Sequence, residues 1–359
     1  METIKTKSAG DVSVYIQGKI NDSETVVLTV HDLGVNHNEY LDFLNSEDMS
    51  MMASKCNWIH VIIPGQGDND EDLSTDEKYP SLDDLANGIG EICDTLSVKG
   101  VILLGDGAGA NICARFCIIR EDLVHGAILI NCTASTPSFV ESLKDKLVGY
   151  KLNSNEISPR AEAFLLIHRF GKVKESDGEH ELRHIMNNYK SYLRKAINPK
   201  NLNLYIQSFM SRRSIVEKSD QIKCPVLIIC GEGSVNAVNT KAFHSALCNA
   251  ANDDSVRKSK IELIQVDKVA NVIRERPEKL AEYILYFIQG LGLASGLVTR
   301  RMSTYAMQAP NLNGSSMEDF DKPKGPENLL YQSDRKYSNV NDTQADIRKF
   351  LEMNADKSA

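Results

Sequence analysis

The segment Val101-Ile-Leu-Leu-Gly-Asp-Gly-Ala-Gly-Ala-Asn-Ile-Cys-Ala-Arg-Phe116 has the pattern strand, Gly-rich turn, helix. Two chemical devices share that pattern. In a nucleophile elbow, small residues two positions to either side of an attacking side chain let a helix crowd the strand, and the strained turn lifts the nucleophile off the sheet. Here the small flanks are Gly105 and Gly109, so the nucleophile position holds Gly107, which relaxes the turn but brings no attacking atom. A shifted register with Asp106 as an ester-forming carboxylate needs small residues at 104 and 108, and Leu104 is not small. The other device is the dinucleotide fingerprint G-x-G-x-x-G/A, met by Gly105, Gly107 and Ala110. It also needs a carboxylate about 20 residues on, at the end of the next strand, to hold ribose hydroxyls. That strand ends Ile130-Asn131-Cys132.

A triad hydrolase takes its acid from the loop after a late strand and its histidine from the loop after the last one, because those loops converge on the elbow. After Cys230 the chain reads Gly-Glu-Gly-Ser-Val, which puts Ser234 at the acid position with Glu232 as the nearby carboxylate. After Val266 it reads Asp-Lys-Val-Ala-Asn, with Ala270 or Asn271 where the histidine belongs. The last histidine of the chain is His244, inside a helix pattern before the final strand, so no histidine follows that strand. Removing the serine or histidine of a triad costs about six orders of magnitude in rate, so losing all three positions leaves no conventional acyl-transfer engine. What remains is a vestigial pocket of His31, Asp32, Gly34, Asp106 and Ala108. The turn after the early strand would supply an oxyanion-hole amide in a working enzyme. Without a nucleophile, His31 and Asp32 are expected to organise their loop by hydrogen bonds. Two alternatives stay open: a hydrolase or lyase with a non-standard set drawn from His31, Asp32 and Asp106, and a nucleotide-binding oxidoreductase.

Positioning these turns requires a sheet. Val12–Gln17, Thr25–His31, Trp58–Ile63, Val101–Gly105, Ala127–Asn131, Pro225–Cys230 and Ile261–Val266 read as strands, several apolar without alternation, as in strands buried on both faces of a mostly parallel sheet. Ser81–Leu96, Ala108–Arg120, Thr240–Ala250 and Pro277–Leu291 read as the helices between them. The expected product is an α/β, doubly wound, mostly parallel sheet. Its core falls in two parts, residues 1–135 and 221–295. Between them, residues 136–220 show only helical patterns, Phe139–Val148, Arg160–Phe170, Glu179–Lys195 and Leu202–Arg213, and read as a helical cap. Residues 296–359 hold only ten Leu, Ile, Val or Phe and read as a flexible, disordered C-terminal tail, in which 342–353 forms at most a marginal helix. The Asp68–Glu77 cluster reads as a solvated acidic loop without EF-hand spacing.

With 49 acidic and 41 basic residues the net charge is −8, which repels phosphate backbones and anionic lipid. Nucleic acid is not an expected partner, and membrane association is peripheral at most. No apolar run of about 18 residues occurs, and the start lacks a secretory pattern, so the expected location is cytoplasmic. The eight cysteines lie scattered in apolar stretches and read as reduced core thiols; neither a metal nor a cofactor is expected.

The ordered combination of Thr29-Val-His-Asp-Leu-Gly34 with Asn36, Tyr79-Pro-Ser-Leu-Asp83 with Leu85-Ala86, Gly105-Asp-Gly-Ala-Gly-Ala110 with Arg115, and Asn201-Leu202 through Ser211-Arg-Arg213 resembles the NDR (N-myc downstream-regulated) family. The resemblance spans roughly residues 10 to 305. It implies an α/β-hydrolase-like fold without catalytic residues, and a cytoplasmic, non-enzymatic protein of stress response, differentiation, signalling and trafficking that acts through protein partners. It also implies phosphorylation of the C-terminal region by a basophilic kinase. Val298-Thr-Arg-Arg-Met-Ser-Thr304 fits that chemistry on its own terms, with Arg300 three residues before Ser303, so Ser303 and Thr304 are the expected phosphoacceptors.

Overall fold

The apolar runs become the parallel heart of an eight-stranded sheet. The computed structural model describes residues 1–20, 26–74, 78–136, 156–171, 180–252 and 254–293. Its strands are β1 (Glu2–Thr6), β2 (Gly10–Gln17), β3 (Val26–Val30), β4 (Asn57–Ile62), β5 (Val101–Asp106), β6 (Val124–Ile130), β7 (Val226–Gly231) and β8 (Ile261–Val266). They lie in the order β1-β2-β4-β3-β5-β6-β7-β8. The β1/β2 and β2/β4 pairs are antiparallel and the rest parallel, so the carboxyl ends of β3 to β8 share one edge, where open α/β sheets build their sites.

Every residue of β3, β4, β5 and β7 is buried, because helices cover both faces. Side chains alternate between the two. Val101 and Leu103 of β5 join Ile89 of α3 (Leu82–Thr95) and Ile112 and Phe116 of α4 (Gly107–Ile119). Ile102 and Leu104 face the other layer, with Trp58 and with Leu280, Ile284 and Ile288 of the helix Pro277–Gly290, the last among the described residues. Ser81 caps α3 in a reciprocal capping box with Asp84. The cysteines are all free, six of them buried.

All seven expected strands are present. The eighth, β1, escapes hydrophobic pattern reading because it is an edge strand whose only apolar side chain is Ile4, with Glu2, Thr3 and Lys5 exposed. Two short helices, α1 (Asn38–Leu44) and α2 (Ser50–Lys55), also escape it, being too brief to show a period. Between β6 and β7 the described residues carry α5 (Pro159–Phe170), α6 (His180–Lys195), α7 (Pro199–Met210) and a 3₁₀ turn, Val216–Gln221, with no strand among them. The expected helix 139–148 and the whole tail expectation lie outside the described residues.

The acidic loop is not merely solvated, as the sequence suggests. Asp68 accepts hydrogen bonds from Asn36 Nδ2 (2.7 Å), Asn38 Nδ2 (2.8 Å) and the Tyr192 hydroxyl of α6 (2.8 Å). Asp72 accepts from Asn198 Nδ2 (3.0 Å) and pairs with Lys200 of α7. The loop therefore clamps cap helices to the core, a role visible only once residues over 120 positions apart are brought together. Arg115, buried on α4, does similar work lower down: its Nε donates to Asn111 Oδ1 (2.8 Å), and its two terminal nitrogens reach Asp83 and the Arg213 carbonyl.

The chain continues beyond α7 into α8 (Ala237–Ala250), α9 (Ser255–Lys258), α10 (Val272–Glu275) and α11, the helix Pro277–Gly290.

Candidate functional site

At the end of β5 the chain turns sharply into α4, and Gly107 makes the turn with φ of +51°, a backbone state that L side chains rarely adopt. Crowding here is severe. A Cβ on Gly109 would overlap the Val30 carbonyl oxygen, and one on Gly105 would lie 2.7 Å from the Ala110 Cα. Small residues are what let α4 start directly on the strand end. The space where a Gly107 side chain would project is not empty: a Cβ there would overlap the carboxylate of Asp32.

Asp32 follows β3 and is 3% exposed. Its Oδ1 accepts the Ala108 amide at 2.8 Å. That amide follows the elbow residue and is the donor that an acyl-transfer enzyme of this architecture keeps for the substrate's developing oxyanion. Here the protein's own carboxylate takes it. His31 holds the backbone beneath. Its Nδ1 donates to the Asp32 carbonyl (2.9 Å), and its Nε2 accepts the Ile63 amide (3.1 Å), which fixes the neutral tautomer because an amide nitrogen only donates. The Tyr205 hydroxyl donates to the His31 carbonyl at 3.2 Å. His31 and Asp32 thus do organise their loop by hydrogen bonds, and Asp32 also plugs the elbow.

The cap supplies the partners of the Asp32 carboxylate. In the last turn of α5, His168 Nε2 donates to Asp32 Oδ2 (2.9 Å) and lies 3.1 Å from Oδ1. The Arg169 Nη1 atom sits 3.6 Å from Asp32 Oδ2, while Nη2 pairs with Glu39 of α1. Arg274 Nε of α10 also donates to Glu39 Oε1, at 3.3 Å. Burial pushes the Asp32 carboxyl up, but the His168 contact, Arg169 and the Ala108 amide outweigh it and hold the group below the usual carboxylate range. Asp106, equally buried beside Asp32, goes the other way: burial and its neighbour's negative charge raise it well above that range. Gly171 ends α5 with φ of +65°, packed so closely on the loop after β7 that a Cβ would overlap the Gly233 carbonyl oxygen. Gly34, at φ +70°, lies under the Tyr189 hydroxyl of α6.

The positions expected for relay acid and base are occupied structurally. Ser234 Oγ accepts the Asn236 amide (3.1 Å). The Ala270 and Asn271 amides donate to Glu275 Oε1 (2.9 and 2.8 Å), and Asn271 Oδ1 caps α10 through the Arg274 amide (3.1 Å). Asn131, at the tip of β6, accepts from the Gly231 amide (3.1 Å) and donates to the Ala270 carbonyl (3.0 Å), so it ties the ends of β6, β7 and the post-β8 loop together. Ser234, Ala270 and Asn271 make no hydrogen bond to Asp32 or His168. Ser303 and Thr304 lie outside the described residues.

His168, Arg169 and Glu39 carry the electrostatics of this centre, yet pattern reading does not find them. The two partners of the Asp32–His168 bond are 136 residues apart, and His168 falls in a helix of the insertion rather than in a post-strand loop. The one faint signal is a His-Arg pair closing a helix that ends on Gly171.

Buried histidines give the site a pH signature. Burial pushes His31 down from 6.5 to about 4 and His60 to about 3. Between those values and 6.5 the unfolded chain binds both protons and the folded chain does not, so stability falls as pH falls. Asp106 opposes this, because the folded chain keeps a proton that the unfolded carboxyl has released above about pH 4. Asp106→Asn removes only that offset. Unfolding free energies from urea titrations between pH 6.5 and 4.5 should then fall more steeply with falling pH in the variant than in the parent. Parallel slopes would mean that Asp106 is already ionised.

A glycine at the elbow, an amide plugged by the chain's own carboxylate and a helical insertion thus stand together at this edge of the sheet. The model of the Ndr family matches residues 2–295. This chain belongs to the Ndr family. Among the relatives, protein ZK1073.1 of Caenorhabditis elegans is 31% identical over 330 residues, covering 90% of this chain and 93% of that one. Protein NDRG3 of Xenopus laevis is 29% identical over 305 residues, 81% of this chain and 76% of its own. The Ndr chain also has the α/β-hydrolase fold. The crystal structure of MGS-M2, an α/β-hydrolase enzyme from a deep-sea metagenome library, superposes with a TM-score of 0.62 at 14% identity, over 78% of this chain and 94% of that one. A thermophilic esterase from Thermogutta terrifontis superposes with a TM-score of 0.63 at 12% identity, over 81% and 99%. Among the described residues no helix is long and apolar enough to cross a membrane, and no group of three or more His, Cys, Asp or Glu side chains is placed to hold a metal ion.

Proposed function

We propose that this Ndr-family chain is a non-enzymatic protein that works in the cytoplasm through protein partners in signalling, stress response or trafficking, and that a basophilic kinase regulates it through Ser303 and Thr304. The observation that carries the non-enzymatic part is the Asp32 carboxylate seated on the Ala108 amide beneath a glycine elbow. An oxyanion hole accelerates acyl transfer only if its donors are free when charge develops on the substrate, and one such donor is worth about 10² to 10³ in rate. With Gly107, Ser234 and Ala270 or Asn271 at the three triad positions, there is in addition no nucleophile, relay acid or base to use it.

One observation favours a second reading. His168 and Asp32 form a carboxylate–imidazole pair, and the structural neighbours include hydrolases; this reading makes Asp32 a nucleophile and His168 its base. Against it, both Asp32 oxygens are already engaged and the side chain is 4% exposed. Purified full-length protein offered a panel of p-nitrophenyl esters and epoxides should show no turnover above the buffer rate. Saturable turnover that vanishes in His168→Ala would establish the enzyme instead. The regulatory part is checked separately: phosphopeptide mass spectrometry of the chain from stimulated cells should find phosphate on Ser303 or Thr304, and uniformly unmodified peptides would remove that arm.

A further inference from the structure

Beside the plugged elbow lies a cavity of about 350 Å³ between the cap and the core, a size typical of small-molecule sites. Its walls come from α1 and the residues just before it, the end of α5, one face of α6, and α10. No residue of the elbow, neither Asp32 nor any of residues 105–109, lines it. We propose that this cavity binds a small, neutral, polyhydroxylated ring of the monosaccharide or cyclitol class, whether or not the elbow is catalytically silent.

Three observations on the walls select that chemistry. Part of the lining is apolar: Val35, Phe170 and Ile185, with the ring of Tyr192, offer carbon surface to the C–H face of a ring. The charged groups balance. Glu39 and Asp42 face Arg169 and Arg274, two acids and two bases already paired with each other, so a ligand with net charge would have to break a pair, whereas hydroxyls both donate and accept and need not. Finally, hydrogen-bonding capacity is left over. Glu39 Oε2, an acceptor, Arg169 Nε, a donor, and the Tyr189 hydroxyl, which does both, are buried without a hydrogen-bond partner among the described residues. Buried polar groups are normally satisfied, and three orphans of complementary kind on side chains that line one cavity point to a missing hydrogen-bonding molecule. Asn188, exposed on α6, lines the same cavity and brings a side-chain amide to it.

Saturation-transfer NMR on the full-length chain tests this, with D-glucose, D-galactose and myo-inositol as neutral probes and D-glucuronate and D-glucosamine as charged counterparts. At least one neutral probe should bind with a dissociation constant of about 1 mM, as ring-sized ligands do. Ile185→Trp fills the apolar part and should weaken that binding at least about tenfold. Asn188→Trp, placed at an exposed position where the fold tolerates it, should do the same and decides the matter if Ile185→Trp fails to fold. The proposal is overturned if no neutral probe shows transfer, if transfer survives undiminished in a folded Trp variant, or if a charged probe binds more tightly than every neutral one.

Discussion

Replacing Asp32 with alanine should destabilise the fold by about 3–5 kcal/mol, the cost of removing one partner of a buried ion pair. The alanine leaves His168 without its carboxylate acceptor, the Ala108 amide without an acceptor and Arg169 with Glu39 as its remaining anion, all in a buried place. An orphaned buried amide alone is worth about 1–3 kcal/mol. Asp32→Asn keeps an oxygen for the amide but not the charge, so its loss should be smaller than that of Asp32→Ala. Guanidinium unfolding of the three proteins at pH 7 gives the comparison. A loss below about 1 kcal/mol in Asp32→Ala would show that His168 and Arg169 find other partners or solvent, and the plug would then be incidental.

The second large effect concerns the elbow. Restoring a nucleophile with Gly107→Ser should fail twice over: it should yield no esterase and should destabilise the chain by about 3 kcal/mol or more. A side chain at φ +51° costs about 1–2 kcal/mol, and its Cβ overlaps the Asp32 carboxylate, which must move and surrender its bonds. The two sites are therefore coupled. In Gly107→Ser/Asp32→Ala the overlap is gone, so the double variant should be more stable than the sum of the single losses by about 1 kcal/mol or more, within the range seen for residues in contact. Strict additivity would mean that the carboxylate does not fill the space over the elbow.

How much of this was legible beforehand follows from where each signal lives in the chain. β5 and β7 are continuous apolar runs, because helices cover both of their faces, and such runs announce themselves. The empty nucleophile position is equally local, since the two flanking glycines that identify it lie within five residues. The resemblance to the Ndr family rests on ordered short motifs and is matched over residues 2–295. What stayed hidden is long-range. Nothing around Asp32 indicates that a helix of the insertion will bring His168 and Arg169 against it, nor does the acidity of Asp68 and Asp72 reveal that Tyr192 and Lys200 will meet them. Strand β1 hides for a different reason, having one buried apolar side chain and otherwise the composition of a loop.

The distance along the chain between Asp32 and its holders also bears on biosynthesis. Asp32, Glu39 and Asp106 all leave the ribosome before the first buried cation of the centre, Arg169. At about 5–20 residues per second, the interval between residues 32 and 169 is on the order of ten seconds. By its end the nascent chain carries all three carboxyl groups and not yet the guanidinium of Arg169, so the amino-terminal half has an electrostatic reason to stay open until the insertion is translated. Closure of the elbow is thus a late event that the growing polypeptide cannot complete from its first hundred residues.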